Sequence, residues 1–196
     1  MTDWIGDTNS IFKTLGASSH GSEARENNDF YATDPKALYS LINEHNIVFN
    51  SNIWECACGA GNLSEVLKEY NYNVYSSDLV DHGYGTVGVD FLRCINTWDG
   101  DIITNPPYKY AQEFIEHALD LITDGNHVYM FLKIQFLEGK KRKALFDSKQ
   151  LKTVYISRSR IECGKNNVFT GGSAVAYAWF DFEKGYNGDP VIKWFN

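Results

Sequence analysis

A chain of 196 residues, 43% hydrophobic and 15% aromatic, can bury one substantial core and is too short for a large second domain. Its N-terminus has no basic-then-apolar signal pattern and no apolar run reaches membrane-spanning length, so we expect a cytoplasmic protein with no membrane partner. The net charge of −7 argues against indiscriminate nucleic-acid binding, yet between Lys133 and Lys165 ten Lys or Arg stand against three Asp or Glu, a local +7 that leaves −14 on the rest.

The first 29 residues are polar, with Gly16-Ala17-Ser18-Ser19-His20-Gly21-Ser22 ahead of a charged run, and are expected to form a flexible arm on a domain spanning residues 30–196. Asp34 at an N-cap and Pro35 at the first helical position start a helix over residues 36–45, with Leu38, Leu41 and Ile42 on one face. A short apolar strand over residues 53–57 runs into Cys58-Gly59-Ala60-Gly61-Asn62, then a helix with Leu63, Val66, Leu67 and Tyr70 as its inner stripe. Strands are expected at residues 73–77, around 87–89, at 101–104 and at 127–133, with a helix over 111–122 between the last two. A helical piece near residues 140–146 precedes strands at 152–157 and 173–182, separated by Gly171-Gly172, and a tail over residues 191–195. This alternation implies a parallel sheet covered by helices on both faces. Cys56, Cys58, Cys94 and Cys163 lack the paired spacing of a zinc site, and the Cys-x-Cys pair falls inside a strand. Four buried thiols and no metal are expected.

The run Asp101-Ile102-Ile103-Thr104-Asn105-Pro106-Pro107-Tyr108 ends an apolar strand in an amide, two rigid prolines and an aromatic ring. Prolines fix φ and donate nothing, so the Asn105 side chain and nearby carbonyls are held in a turn where acceptors can converge on one exocyclic NH2. Tyr108 adds a flat face on which a base can stack. Alone, these residues better suit an ordinary proline turn after a buried strand. A second motif tips the balance. Gly59 and Gly61, at the carboxyl end of the first long strand and ahead of a helix, let the backbone approach a ligand carrying negative charge, although the third glycine of a dinucleotide fingerprint is missing. Asp78 ends the next strand where it can accept hydrogen bonds from ribose hydroxyls, and Asp90-Phe91 offers an acceptor and an apolar wall to an adenine ring. For either acid the alternative is a helix cap or a solvated loop. Lys133, Arg142, Arg158 and Arg160 form a phosphate track, or else a solvated helix face and exposed strand positions.

The succession Tyr31-Ala32-Thr33-Asp34-Pro35, Glu55-Cys56-Ala57-Cys58-Gly59-Ala60-Gly61, Asp78, Asp90-Phe91 and Asn105-Pro106-Pro107-Tyr108 resembles the gamma arrangement of S-adenosylmethionine-dependent amino-methyltransferases acting on DNA adenine. More narrowly it is similar to the small phage and prophage DNA N6-adenine methyltransferases, whose last strand looks like Ala178-Trp179-Phe180-Asp181-Phe182-Glu183-Lys184-Gly185. The likeness spans roughly residues 27–196. It implies a single α/β domain, Rossmann-like and of the class I methyltransferase type, with a mostly parallel seven-stranded sheet, helices on both faces and no separate target-recognition domain. It also implies roles. Thr33 and the backbone of Tyr31 and Ala32 would hold the methionine part of S-adenosylmethionine, and Glu55, Ala57, Cys58, Gly59 and Gly61 would line its cradle. Asp78 would bind the ribose and Asp90 with Phe91 the adenine. Asn105, Pro106, Pro107 and Tyr108 would form the catalytic turn, methylating the N6 of an adenine flipped out of DNA. DNA is the implied partner, in a bacterial cytoplasm or nucleoid, with sequence specificity low or supplied by a partner chain or a second copy. Asn-Pro-Pro-Tyr also occurs in methyltransferases of RNA adenine and of a release-factor glutamine amide, and a catalytically silent DNA-binding module is a further alternative.

Overall fold

Among the residues described by the computed structural model, 31–165 and 175–196, strands and helices alternate as the hydrophobic pattern dictates. In chain order they are Tyr31–Thr33 (β1), Lys36–His45 (α1), Asn52–Glu55 (β2), Asn62–Glu69 (α2), Asn73–Asp78 (β3), Thr86–Val87 (β4), Asp101–Thr104 (β5), Ala111–Leu121 (α3), His127–Lys133 (β6), Lys143–Asp147 (α4), Leu151–Ser157 (β7), Cys163–Lys165 (β8), Tyr177–Glu183 (β9) and Val191–Phe195 (β10). The expected arm over residues 1–29 and the Gly171-Gly172 turn lie outside the described residues.

Eight strands form one sheet in the order β10-β7-β9-β6-β5-β2-β3-β4, and β1 and β8 form a separate antiparallel pair. In the large sheet β9 alone runs antiparallel, between β6 and β7; all other pairings are parallel. The parallel architecture follows from the strand-helix repeat. The sheet has eight strands rather than the expected seven because the C-terminal tail pairs along β7, from Val191 opposite Thr153 to Phe195 opposite Ser157, and covers an otherwise open edge.

The pleat divides the core in two. Ile53, Ile103, Tyr129, Phe131 and Trp179 face α1 and α2, where Leu38, Leu41, Leu63 and Leu67 pack on them. Trp54, Ile102, Val128, Met130 and Phe180 face α3 through Phe114, Ile115 and Ala118. Burial on both sides explains why β5 and β6 read as unbroken apolar runs. Helix α1 begins as its sequence suggests: Asp34 Oδ1 accepts from the Lys36 amide at 3.0 Å, and Pro35 already has helical geometry at φ −51°. The indole of Trp179 donates to the Ala37 carbonyl at 3.0 Å and that of Trp54 to Ser77 Oγ at 2.8 Å, so each buried ring also ties two elements together.

At the amino edge of the sheet, Asp101 accepts from the Asn50 and His127 amides at 2.7 and 2.8 Å, and His127 Nδ1 lies 2.6 Å from Asp181 Oδ1. Burial opposes a charge on this imidazole. The Asp181 carboxylate, seconded by Asp101, outweighs it and raises the histidine above its ordinary pKa.

Two expectations need correction. Strand β2 ends at Glu55, so Cys56-Ala57-Cys58 belongs to a turn, because Gly59 and Gly61 at φ +51° and +83° take the chain out of extended geometry. Cys56 and Cys58 are buried and free, but Cys94 and Cys163 are partly exposed. Among the described residues no group of three or more His, Cys, Asp or Glu is placed to hold a metal ion, and no helix is long and apolar enough to cross a membrane.

Candidate cofactor and substrate site

The chain runs outward from β2 to β3 and β4, then returns to β5 on the other side of β2. Strand order therefore reverses between β2 and β5, and the crevice outside their carboxyl ends is where such sheets hold ligands. Neighbouring strands are about 4.8 Å apart, so the glycine turn after β2 and the Asn105-Pro106-Pro107-Tyr108 turn after β5 form its two lips. Asp78 ends β3 on one side and Lys133 ends β6 on the other.

The glycine turn is tethered. Gly59 donates its amide to Asp78 Oδ2 at 2.9 Å, Val80 donates to Asp78 Oδ1 at 3.0 Å, and the Cys58 amide reaches the Ser77 carbonyl at 3.0 Å. Each Asp78 oxygen keeps a second acceptor direction, which suits a ribose hydroxyl. A Cβ on Gly61 would stand 2.6 Å from the Tyr84 ring, so only glycine admits that ring. Tyr84 in turn donates to Glu65 Oε1 at 2.5 Å and accepts from Lys68 Nζ at 2.6 Å. Sequence reasoning missed Tyr84. Its one signal was an aromatic residue between Gly83 and Gly85.

Glu55 is buried at the end of β2 and accepts from Ser64 Oγ, itself 2.5 Å from Ser76 Oγ. Burial, working against that hydrogen bond, pushes its carboxyl up to about 8. Glu55 is thus a neutral acid at pH 7 that can donate as well as accept. Ala57 packs against the α3 side of the core, and Cys58 Sγ sits 3.8 Å from the Gly59 and Tyr84 carbonyls. Burial pushes the Cys58 thiol up to about 12, which removes it as a thiolate nucleophile. Asp90 pairs with Arg93 at 3.2 Å on the surface. Phe91, expected as an apolar wall, is 2% exposed, its ring 5.2 Å from Trp54 and 5.0 Å from Phe114.

On the opposite lip, Asn105 is half-buried directly after Thr104, Pro106 is buried and Pro107 exposed. The Tyr110 amide donates to the Pro107 carbonyl at 2.8 Å and turns the chain into α3. The Tyr108 hydroxyl donates to Cys163 Sγ at 3.5 Å, and the Tyr177 ring lies 6.3 Å away at 33°. Burial holds the Tyr108 phenol well above its ordinary range, so it is neutral and no base. Lys133 Nζ stands over the Tyr108 ring, 5.0 Å from its centroid.

The opening motif reaches this turn through a pairing the sequence did not disclose. Tyr31, Ala32 and Thr33 pair with Lys165, Gly164 and Cys163, and the Asp34 amide donates to the Glu162 carbonyl at 3.2 Å. Cys163 therefore neighbours both Thr33 and Tyr108. Thr33 Oγ1 and Thr104 Oγ1 are buried without a hydrogen-bond partner among the described residues. Buried hydroxyls are normally satisfied, so both retain bonding capacity for a ligand.

Of the basic candidates, Arg142 lies near this lip, its guanidinium 4.3 Å from the Phe136 centroid and one nitrogen donating to the Glu138 carbonyl. Arg158 and Arg160 are exposed on the segment that leaves β7, and the Arg158 amide donates to the Phe195 carbonyl of β10 at 3.0 Å.

A Listeria monocytogenes protein assigned to the class I S-adenosylmethionine-dependent methyltransferases superposes on 92% of this chain and 69% of its own, with TM-score 0.58 and 14% identity. The fold is the class I methyltransferase fold. A protein assigned as the modification subunit of a type I restriction enzyme from Vibrio vulnificus matches 93% of the chain with TM-score 0.56 and 14% identity, the match spanning 48% of that subunit. One assigned as an RNA methyltransferase from Pyrococcus horikoshii matches 76% of this chain and 81% of its own, with TM-score 0.53 and 14% identity. Identities this low establish the fold and not the reaction. No protein-family model matches the sequence, and no curated protein matches it.

Proposed function

We propose that this chain transfers a methyl group from S-adenosylmethionine to the exocyclic N6 of adenine in DNA. One observation carries this reading: the crevice between β2 and β5 has a glycine turn tethered to an acidic strand end on one lip and Asn105-Pro106-Pro107-Tyr108 on the other.

The residues present fit the cofactor. Gly59 offers bare backbone, Asp78 keeps acceptor directions for a ribose, and the buried Thr33 hydroxyl has bonding capacity left. When bound, the cofactor supplies a methyl group activated by a sulfonium. The remaining work falls to the chain's own residues. An adenine amino group is a poor nucleophile because its lone pair is delocalised into the ring. Asn105 Oδ1 and the Pro106 carbonyl would accept from its two N–H groups and draw the nitrogen toward a tetrahedral form. Tyr108 would stack on the flipped base, with the Lys133 ammonium beside the ring. Positioning and fixed dipoles suffice for an in-line transfer; as the nitrogen gains the methyl group it gives up one N–H proton to solvent, and neither the neutral Tyr108 phenol nor the Cys58 thiol takes part as base or nucleophile. The basic stretch over residues 133–165 favours a polyanion as substrate, and the likeness to a restriction modification subunit supports DNA.

The test is a labelling experiment. The protein is incubated with methyl-labelled cofactor and, in separate reactions, DNA, RNA and release factor. Label recovered from DNA as N6-methyladenine is expected; label confined to RNA or to a glutamine amide replaces this reading with the corresponding one.

A further inference from the structure

Beside the catalytic turn lies a cavity of about 390 Å³, a size that takes a nucleotide-scale ligand. Its lining carries four cations, Lys109, Lys140, Lys141 and Arg142, against one anion, Glu113, and Tyr108 is part of its wall. In a chain of net charge −7 this concentration is unusual. None of the four cations is ion-paired with a carboxylate among the described residues. Their charge is therefore available to an anion at the cavity.

Arg142 is held in place before any ligand arrives. Its guanidinium rests on the Phe136 ring and is bonded to the Glu138 carbonyl, which restricts the rotamers of a long side chain. Gly139, at φ +115°, makes the room: a Cβ there would stand 3.1 Å from Arg142 Nη1. A fixed planar guanidinium flanked by lysines matches a phosphate, to which it can present two parallel N–H groups.

We infer that this cavity grips the phosphodiester backbone of the DNA strand that carries the reacting base, next to the flipped nucleotide; the inference rests on the DNA reading proposed above. Tyr108 then separates two subsites, with the base on the Asn105 side and the backbone on the Arg142 side. Because the rest of the chain is acidic, this grip sets the orientation in which DNA can approach the crevice. It reads charge and not sequence, so it acts on any adenine-containing strand.

The experiment measures the affinity of the full chain for a short adenine-containing duplex over a range of salt concentrations. Lys140→Gln/Lys141→Gln and Arg142→Gln are compared with wild type and with Lys193→Gln, a change on the distant edge strand β10. Melting temperature and cofactor affinity, expected to be unchanged, verify folding. Each cation removed from a phosphate lowers the slope of log affinity against log salt by roughly 0.9. The double variant should therefore reduce the slope by about 2, Arg142→Gln by about 1, and Lys193→Gln not at all. Variants of the cavity that keep the wild-type slope overturn the inference, and if the wild type still methylates DNA the proposed reaction stands without it. If instead the slope falls as expected but label goes only to RNA or protein, the DNA reading fails and takes the inference about the reacting strand with it, leaving only a cavity that binds phosphates.

Discussion

Replacing Gly61 by alanine forces two adjustments at once. The residue is held at φ +83°, where an L side chain costs about 1–2 kcal/mol. The new Cβ would also stand 2.6 Å from three atoms of the Tyr84 ring, so the ring must leave. Its departure breaks the hydroxyl's bonds to Glu65 and Lys68 and removes its packing on the turn, together about 1 kcal/mol in this half-exposed setting. The sum is about 2–3 kcal/mol, or about 5–10 °C in Tm for a domain of this size. Tyr84→Ala alone should cost about 1 kcal/mol, and Gly61→Ala in that background only its backbone part. The cycle should therefore show a coupling of about 1 kcal/mol. Urea denaturation of the four proteins measures it, and calorimetric titration with S-adenosylmethionine should give weaker binding for Gly61→Ala. A Gly61→Ala protein as stable as wild type, or strictly additive effects, would refute a turn built around this ring.

Two further predictions concern pH. The Glu55 carboxyl titrates near 8 in the folded chain and near 4.5 when unfolded, so the native state keeps a proton that the unfolded chain releases. Stability should fall as pH rises across that window, by up to about 1.4 kcal/mol per pH unit; Glu55→Gln should remove this component in urea titrations, and unchanged slopes would contradict it. His127 is raised in the folded state by Asp181 and Asp101, with Glu183 and Lys152 close by. Its contribution should be complete below the unfolded value near 6.5 and lost as pH rises through the folded value. The stability gap between wild type and His127→Gln should therefore narrow from pH 6 to pH 9, and a constant gap would count against the pairing.

The sequence made legible whatever depends on local pattern. Strands β6 and β10 fall where the apolar runs lie, and Asp34-Pro35 starts α1, because capping and burial on both faces act on consecutive residues. The motifs at the carboxyl ends of β2, β3 and β5 converge because parallel order puts all three ends on one edge. What stayed hidden depends on partners far along the chain. The three-residue strands β1 and β8 carry no periodicity of their own, so the meeting of Thr33, Cys163 and Tyr108 was invisible. The insertion of the late strand β9 between β6 and β7 was equally hidden, because a strand's place in the sheet does not follow its order in the chain. Phe91 reads as an apolar wall beside Asp90, and its packing on the rings of Trp54 and Phe114 was not visible in the sequence.

Asn105→Ala tests the central claim most directly. It removes the side-chain acceptor from the Asn105-Pro106-Pro107-Tyr108 turn and leaves the glycine turn and Asp78 untouched. Methyl transfer to adenine N6 in DNA should fall about 10²- to 10³-fold, the loss typical of one aligned polar group, while affinity for S-adenosylmethionine stays within a few-fold of wild type. A variant that methylates DNA at the wild-type rate would contradict the account.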